Sequence, residues 1–171
     1  MTTYERPTNP GSGADATGPA GDEGFWFLGG QVRVLHRGAD TGDAMSVLRF
    51  DDRRGQAPPL HVHGHEDELW IVLDGEISFY VGDTRLDRQP GQTAFGPRGV
   101  PHSYLVRSET SQLLVVYTPA GIDAWFAVNA SPVDPAGPMP PGFDLPRILA
   151  TAQTYQVSVA GPPPTLGGDP R

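Results

Sequence analysis

The sequence contains no cysteine. Disulfides, thiolate nucleophiles and cysteine-ligated metals are thereby excluded. Lysine is absent as well, and the 12 basic residues are all arginine. Neither Schiff-base chemistry nor a phosphate-loop lysine is available. Positive charge is scarce: 12 arginines stand against 20 Asp and Glu, for a formal net charge of −8. With no basic patch, nucleic acid and anionic membrane surfaces are not expected partners. Long apolar runs are missing too. The longest, Leu69-Trp70-Ile71-Val72-Leu73 among them, fall far short of a membrane span. The N-terminus carries Glu5 and Asp15 and no apolar signal core, so a cytoplasmic protein is expected.

Glycine and proline are plentiful instead, 22 and 19 of 171 residues. That level borders on low complexity, so their distribution matters. Residues 1–24 hold 8 of them and residues 129–171 hold 15, which leaves 18 for the 104 residues between. Residues 1–24 read as a flexible N-terminal arm, 25–128 as one globular domain, and 129–171 as a Pro/Gly-rich C-terminal extension.

Inside the central segment, short apolar runs alternate with turn signals. Strands are predicted at 25–28, 31–36, 45–50, 60–63, 68–73, 76–81, 85–87, 93–95, 102–106 and 112–117. Asp74-Gly75 and Gly82-Asp83 both suit hairpin turns. Many short strands at even spacing predict an all-β sandwich or barrel. Two short C-terminal helices follow. One runs from Ala120 to Asn129, with Ile122, Trp125, Phe126 and Val128 roughly on one face. The other runs from Leu145 to Tyr155, with Asp144 as N-cap and Pro146 in the first turn. The Pro-rich stretch from Ser131 to Gly142 reads as a spacer.

Four of the five histidines fall between positions 61 and 102. His61 and His63 are two apart on a predicted strand, so both rings point to one face. Two imidazoles on one face are a ready pair of metal ligands. Glu68 follows five residues later. An unbroken strand would point it away, but Gly64 to Asp67 breaks the strand, and Gly64 is expected to turn the chain so that Glu68 returns beside the histidines. His102 opens a later strand, after the stiff turn Pro97-Arg98-Gly99-Val100-Pro101. Three imidazoles and one carboxylate suit one divalent transition metal: Fe, Mn, Ni, Co, Cu or Zn. A lone H-x-H pair would be read as surface or packing residues. The carboxylate and further histidine at set spacings turn the reading toward metal.

With these residues in place, the sequence resembles the cupin superfamily over residues 25–128. Gly55, His61, His63, Glu68 and Gly75 fill every position of the first cupin motif, G-x5-H-x-H-x4-E-x6-G. Gly91, Pro97, Gly99 and His102 match the second, G-x5-P-x-G-x2-H-x3-N, with Val106 in place of the final Asn. The resemblance implies a jelly-roll β-barrel in which His61, His63, Glu68 and His102 bind the metal. A nearer resemblance is to single-domain bacterial cupins similar to quercetin dioxygenase. It rests on Pro59-Leu60-His61-Val62-His63, Glu66-Asp67-Glu68, Pro97 to His102, and Leu114 to Gly121 before an aromatic helix.

If Glu68 faces inward, Trp70 and Val72 do so too, and from His102 the same alternation selects Tyr104 and Val106. Ile77, Phe79 and Val81 form one face of the intervening strand, and Leu113, Val115 and Tyr117 end the barrel. These residues would line an apolar, aromatic cavity suited to an aromatic or enolic small molecule. Trp70, Phe79, Tyr104 and Tyr117 are the expected substrate contacts, although core packing alone accounts for such residues. Trp125 and Phe126 either cap the barrel mouth or pack beneath it. Leu69, Ile71 and Leu73 make the opposite strand face apolar as well. It needs a cover, which either the 25–28 strand or a second subunit could supply, and a homodimer is expected. His65, Glu66 and Asp67 read as solvated loop residues, His36 as structural or exposed, and Asp51-Asp52-Arg53-Arg54 as a charged surface turn.

Three functions fit. The first is a metal-dependent dioxygenase that brings together an aromatic or enolic substrate and dioxygen. There Glu68 serves either as catalytic base for the substrate proton, as proposed for the ligating glutamate of the family, or as a metal ligand only. The second is a non-redox metal enzyme: a cyclase, isomerase or decarboxylase. The third is a non-catalytic small-molecule-binding module.

Overall fold

In the computed structural model, residues 24–132 and 144–168 are described. The arm expected over 1–24, apart from Gly24, and most of the expected spacer lie outside these residues. Among the described residues there are twelve strands. β1 is Gly24–Phe27, β2 Gly30–His36, β3 Ser46–Arg53, β4 Leu60–His63, β5 Asp67–Asp74 and β6 Ile77–Val81. β7 is Thr84–Arg88, β8 Thr93–Gly96, β9 His102–Val106, β10 Thr110–Thr118, β11 Ser131–Pro132 and β12 Val157–Gly161. Two helices, α1 (Ile122–Asn129) and α2 (Leu145–Ala152), lie near the C-terminus. Among the described residues, no helix is long and apolar enough to cross a membrane.

The strands form two antiparallel sheets of a jelly roll. One has seven strands in the order β11-β1-β2-β3-β10-β5-β8, and the other five in the order β12-β4-β9-β6-β7. Alternation explains the packing. On β3, Ser46, Leu48, Phe50 and Asp52 are buried, and the residues between them are less so. On β10, Ser111, Leu113, Val115 and Tyr117 are buried in the same way. β9 is buried at every position, because the sheet is covered on both of its sides there. The inward residues of both sheets meet in one core that includes Trp70, Phe79, Leu48, Leu113 and Ile122.

Two turns differ in role. Gly82-Asp83 closes the β6–β7 hairpin, with Val81 opposite Thr84. Asp74-Gly75 does not close a hairpin, because β5 belongs to the seven-stranded sheet and β6 to the five-stranded one. Gly75 has φ 86, and a Cβ there would meet Thr110 O and Ser108 Oγ at 2.5 Å. The sequence signal marks a left-handed residue, and a sheet-to-sheet corner needs one as much as a hairpin does.

The C-terminal extension joins the fold. Asp144 Oδ1 accepts from Arg147 N at 3.0 Å and caps α2. Trp125 Nε1 of α1 donates to Thr151 Oγ1 of α2 at 3.0 Å. Beyond α2, a strand absent from the sequence reading, β12, pairs with β4 along Val157↔His63, Ser158↔Val62 and Val159↔His61. The sequence reading missed it because Val157-Ser158-Val159 is brief and sits among prolines and glycines.

Candidate metal centre

β4 carries His61 and His63 on one face, with ring centroids 5.0 Å apart. β9 enters the cluster at its first residue, where His102 is registered against His61. Glu68 lies second on β5, flanked by Tyr117 of β10 and Gly96 of β8. One ligand atom from each of His61, His63, Glu68 and His102 lies within 4.8 Å of the others. The three imidazoles come from the five-stranded sheet and the carboxylate from the seven-stranded one.

The chain closes this cluster differently from the expected glycine turn. Gly64 lies outside the left-handed region, and its N–H donates to Gln156 O at 2.8 Å. A Cβ on Gly64 would sit 3.2 Å from Gln156 Cβ and O. Glycine serves here for close approach of the C-terminal segment rather than for the turn. The second motif is tied to the first by Gly99 N, which donates to His63 O at 2.8 Å. Arg98 adds an ion pair with Asp67 at 2.9 Å, which holds the Asp67 carboxyl down to about 2.

Backbone carbonyls orient two of the rings. Nδ1 of His61 lies 2.8 Å from Pro59 O, and Nδ1 of His102 lies 2.8 Å from Val100 O. Donation from Nδ1 selects the tautomer whose Nε2 lone pair is free for a metal. Burial, then the neighbouring imidazoles of His102 and His63, lowers His61 to about 3, so the ring is neutral around pH 7. Glu68 Oε2 is 3.2 Å from His102 Nε2 and 3.4 Å from His63 Nε2. Burial opposes ionisation of Glu68, but these two imidazoles hold its carboxyl below the ordinary carboxylate range.

These contacts are close but misaligned for hydrogen bonds. Among the described residues, His102 Nε2 and Glu68 Oε2 are buried without hydrogen-bond partners. Buried polar atoms of this kind are costly unless something satisfies them. Nitrogen and oxygen donors directed at one point suit a divalent transition metal, so the cluster could hold one.

Two residues read as solvated are buried. Glu66 is 2 % exposed and its Oε2 lies 3.8 Å from His63 Nδ1. Burial raises its pKa. Asp52, assigned to a surface turn, is 3 % exposed on the inner face of β3 and accepts from Tyr104 Oη at 2.6 Å. Its phase with Leu48 and Phe50 was the available signal. A run of four charges obscured it. His65 and His36 are exposed as expected.

A small cavity of about 50 Å3, partly open to solvent, adjoins Glu68. Tyr104 and Tyr117 line it, together with Phe27, Phe50, Phe126 and Asp52. Trp70 and Phe79 lie outside this lining. Both are fully buried, with ring centroids 5.1 Å apart, and Trp70 sits edge-on to His102 at 5.4 Å. Phe126 reaches the cavity from α1, whereas Trp125 packs edge-on against Phe27 at 5.3 Å.

A family model described as a cupin domain matches residues 49–122. Quercetin 2,3-dioxygenase of Bacillus subtilis strain 168 is 30% identical over 118 residues, which is 68% of this chain and 35% of that protein. An uncharacterised protein of Aquifex aeolicus is 33% identical over 60 residues, 35% of this chain and 50% of its own length. The chain thus matches half or less of the length of these curated relatives. Among solved structures, KdgF from Halomonas sp. has a TM-score of 0.54 at 16% identity, covering 61% of this chain and 91% of that one. Oxalate decarboxylase from Bacillus subtilis has a TM-score of 0.52 at 20% identity, covering 58% and 28%. At such identities the likeness concerns the fold alone.

Proposed function

The chain is a cupin resembling quercetin 2,3-dioxygenase, and from that premise we propose that it is a metal-dependent dioxygenase acting on an aromatic or enolic small molecule. One observation carries the reading: the carboxylate of the His61, His63, Glu68, His102 cluster is also a wall of the aromatic cavity.

A divalent metal held by these four residues would supply Lewis acidity and a template for a substrate oxygen and dioxygen. The chain's own residues do the remainder. Glu68 faces the cavity and would take the proton of a substrate enol or phenol whose acidity a bound metal raises, since the imidazoles that keep Glu68 ionised also make it a weak base by itself. Tyr117, beside Glu68 on the neighbouring strand, borders the same space. Phe27, Phe50 and Phe126 exclude water from the substrate body. Trp70 and Phe79 act beneath the site, where Trp70 braces the His102 ring.

The active form is a homodimer. Leu69 and Ile71 are half-buried on the outer face of β5, Leu73 and Phe95 are 44% and 49% exposed, and Leu69 is registered against Phe95. A second copy covering this face accounts for them. Light scattering at a monomer mass would overturn it.

The deciding experiment is oxygen uptake by the full chain, loaded in turn with each candidate metal and given flavonols and other aromatic enols. Substrate-dependent uptake is expected. Turnover that persists without oxygen would instead indicate a non-redox metal enzyme. Tight binding without any turnover would indicate a binding module.

A further inference from the structure

The cavity is polar at two places. One is Glu68 of the metal cluster. The other is Asp52 with the neighbouring Gln56, and between them the lining is largely Phe27, Leu28, Phe50, Val115 and Phe126. Asp52 and Glu68 stand on strands that flank β10 on either side. Asp52 is registered against Ser111 and Glu68 against Tyr117, six residues apart on β10. That offset separates their backbones by roughly 20 Å along the strand, and the side chains project into one cavity.

Asp52 is half satisfied. Its Oδ2 accepts from Tyr104 Oη at 2.6 Å, while its Oδ1 is buried without a hydrogen-bond partner among the described residues. The neighbouring backbone is cut back to make room. A Cβ on Gly30 would collide with Asp52 Oδ1 and Gln56 Nε2. Gln56 Nε2 lies beside Asp52 Oδ1 without forming a hydrogen bond to it, and Gln56 Oε1 accepts from Arg53 N at 3.2 Å. A buried carboxylate oxygen with a free lone pair is costly in a core that needs only packing. It suits a site that is completed by a ligand donor.

We propose that Asp52 anchors the distal end of the substrate, accepting through Oδ1 a hydrogen bond from a hydroxyl or N–H carried on an aromatic body whose other end meets Glu68. The substrate class is thereby narrowed to planar, apolar molecules with hydrogen-bonding groups at two opposite ends. This deepens the dioxygenase reading, because it places the substrate in that same cavity. Burial, which raises the Asp52 carboxyl to about 6, still leaves it mostly ionised around pH 7 and so an acceptor. Tyr104 positions the carboxylate by holding Oδ2.

The test is a binding measurement on the full chain loaded with zinc, which does not activate dioxygen. The probes are a naphthalenediol with hydroxyls at opposite ends and its monomethyl ether, compared by calorimetry. Both keep one hydroxyl for the metal end, and only the diol can donate to Asp52. Wild type should bind the diol about tenfold tighter or more, the preference expected of a hydrogen bond to a charged acceptor. Asp52→Ala should reduce that preference to about twofold or less and leave the ether's affinity unchanged. Tyr104→Phe, which releases Oδ2 but leaves Oδ1 able to accept, should retain more of the preference than Asp52→Ala does. If Asp52→Ala does not fold, Asp52→Asn takes its place, and its neutral acceptor should reduce the preference several-fold. The proposal is overturned if wild type shows no preference, if neither probe binds, or if the preference survives in the folded Asp52 variant. Because zinc is the metal and binding is the readout, failed oxygen uptake would remove the dioxygenase reading and leave the Asp52 assignment standing.

Discussion

His61 and His102 are registered partners across β4 and β9, and their rings meet edge to face with centroids 4.7 Å apart. The first histidine of one motif and the histidine of the other are thus placed by a single rung of a sheet. Each ring is also pinned through Nδ1 by the carbonyl two residues before it.

Removing either ring should therefore abolish metal binding. His61→Ala, His102→Ala and the double variant His61→Ala with His63→Ala are expected to purify without metal, and His65→Ala to retain it, since His65 is exposed. Elemental analysis of the purified proteins is the check. Full occupancy in the double variant would sink the ligand assignment.

β4 depends on the C-terminus. Among the described residues it makes four registered pairs with β12 and one with β9. A chain ending at residue 156 loses those four pairs. It should melt at lower temperature and bind metal about tenfold or more weakly, the scale on which ligand positioning acts. Competition with a chelator, alongside calorimetry, reads both.

Trp70 supports the site from below. It has no exposed surface and contacts both Phe79 and His102. Trp70→Ala should cost about 3–5 kcal/mol in guanidinium unfolding. It should also weaken metal binding, because His102 loses the ring that limits its rotation. Unchanged stability would mean that the core closes over the gap.

Asp52 gives a pH signature. Its pKa is raised by burial from 3.8 to about 6, so the folded protein holds this proton more tightly than the unfolded chain does. The resulting stability is full below the unfolded value and is lost as pH rises through about 6. That difference amounts to ~3 kcal/mol. Asp52→Asn cannot titrate, so its stability relative to wild type should increase between about pH 4 and pH 7. Urea unfolding of the metal-free proteins across that range measures the difference, and parallel curves would refute it.

Much of this was legible because each residue of the cluster has a local reason for its place. His61 and His63 share a face by strand alternation alone, and the Pro97 to Pro101 turn announces where His102 begins. The phase of Glu68 with Trp70 and Val72 was equally plain. What escaped depended on distant partners. Asp52 reads as surface because its neighbours are charged, and only Tyr104, 52 residues later, accounts for its burial. Glu66 looks like one more loop acid until His63 and Gly121 close around it. Gly64 was assigned a turn because nothing nearby revealed that Gln156 would press against it. The Asp74-Gly75 corner has the same φ requirement as a hairpin, and only the sheet order separates the two.

The division of the cluster between sheets has a mechanical consequence. Three imidazoles belong to one sheet and the carboxylate to the other. An ion bound to all four is a clasp across the sandwich, and the sheets cannot part without breaking a coordination bond. Metal should then act as a brake on unfolding: the loaded protein opens slowly, and stripping the ion shortens the lifetime of the folded chain.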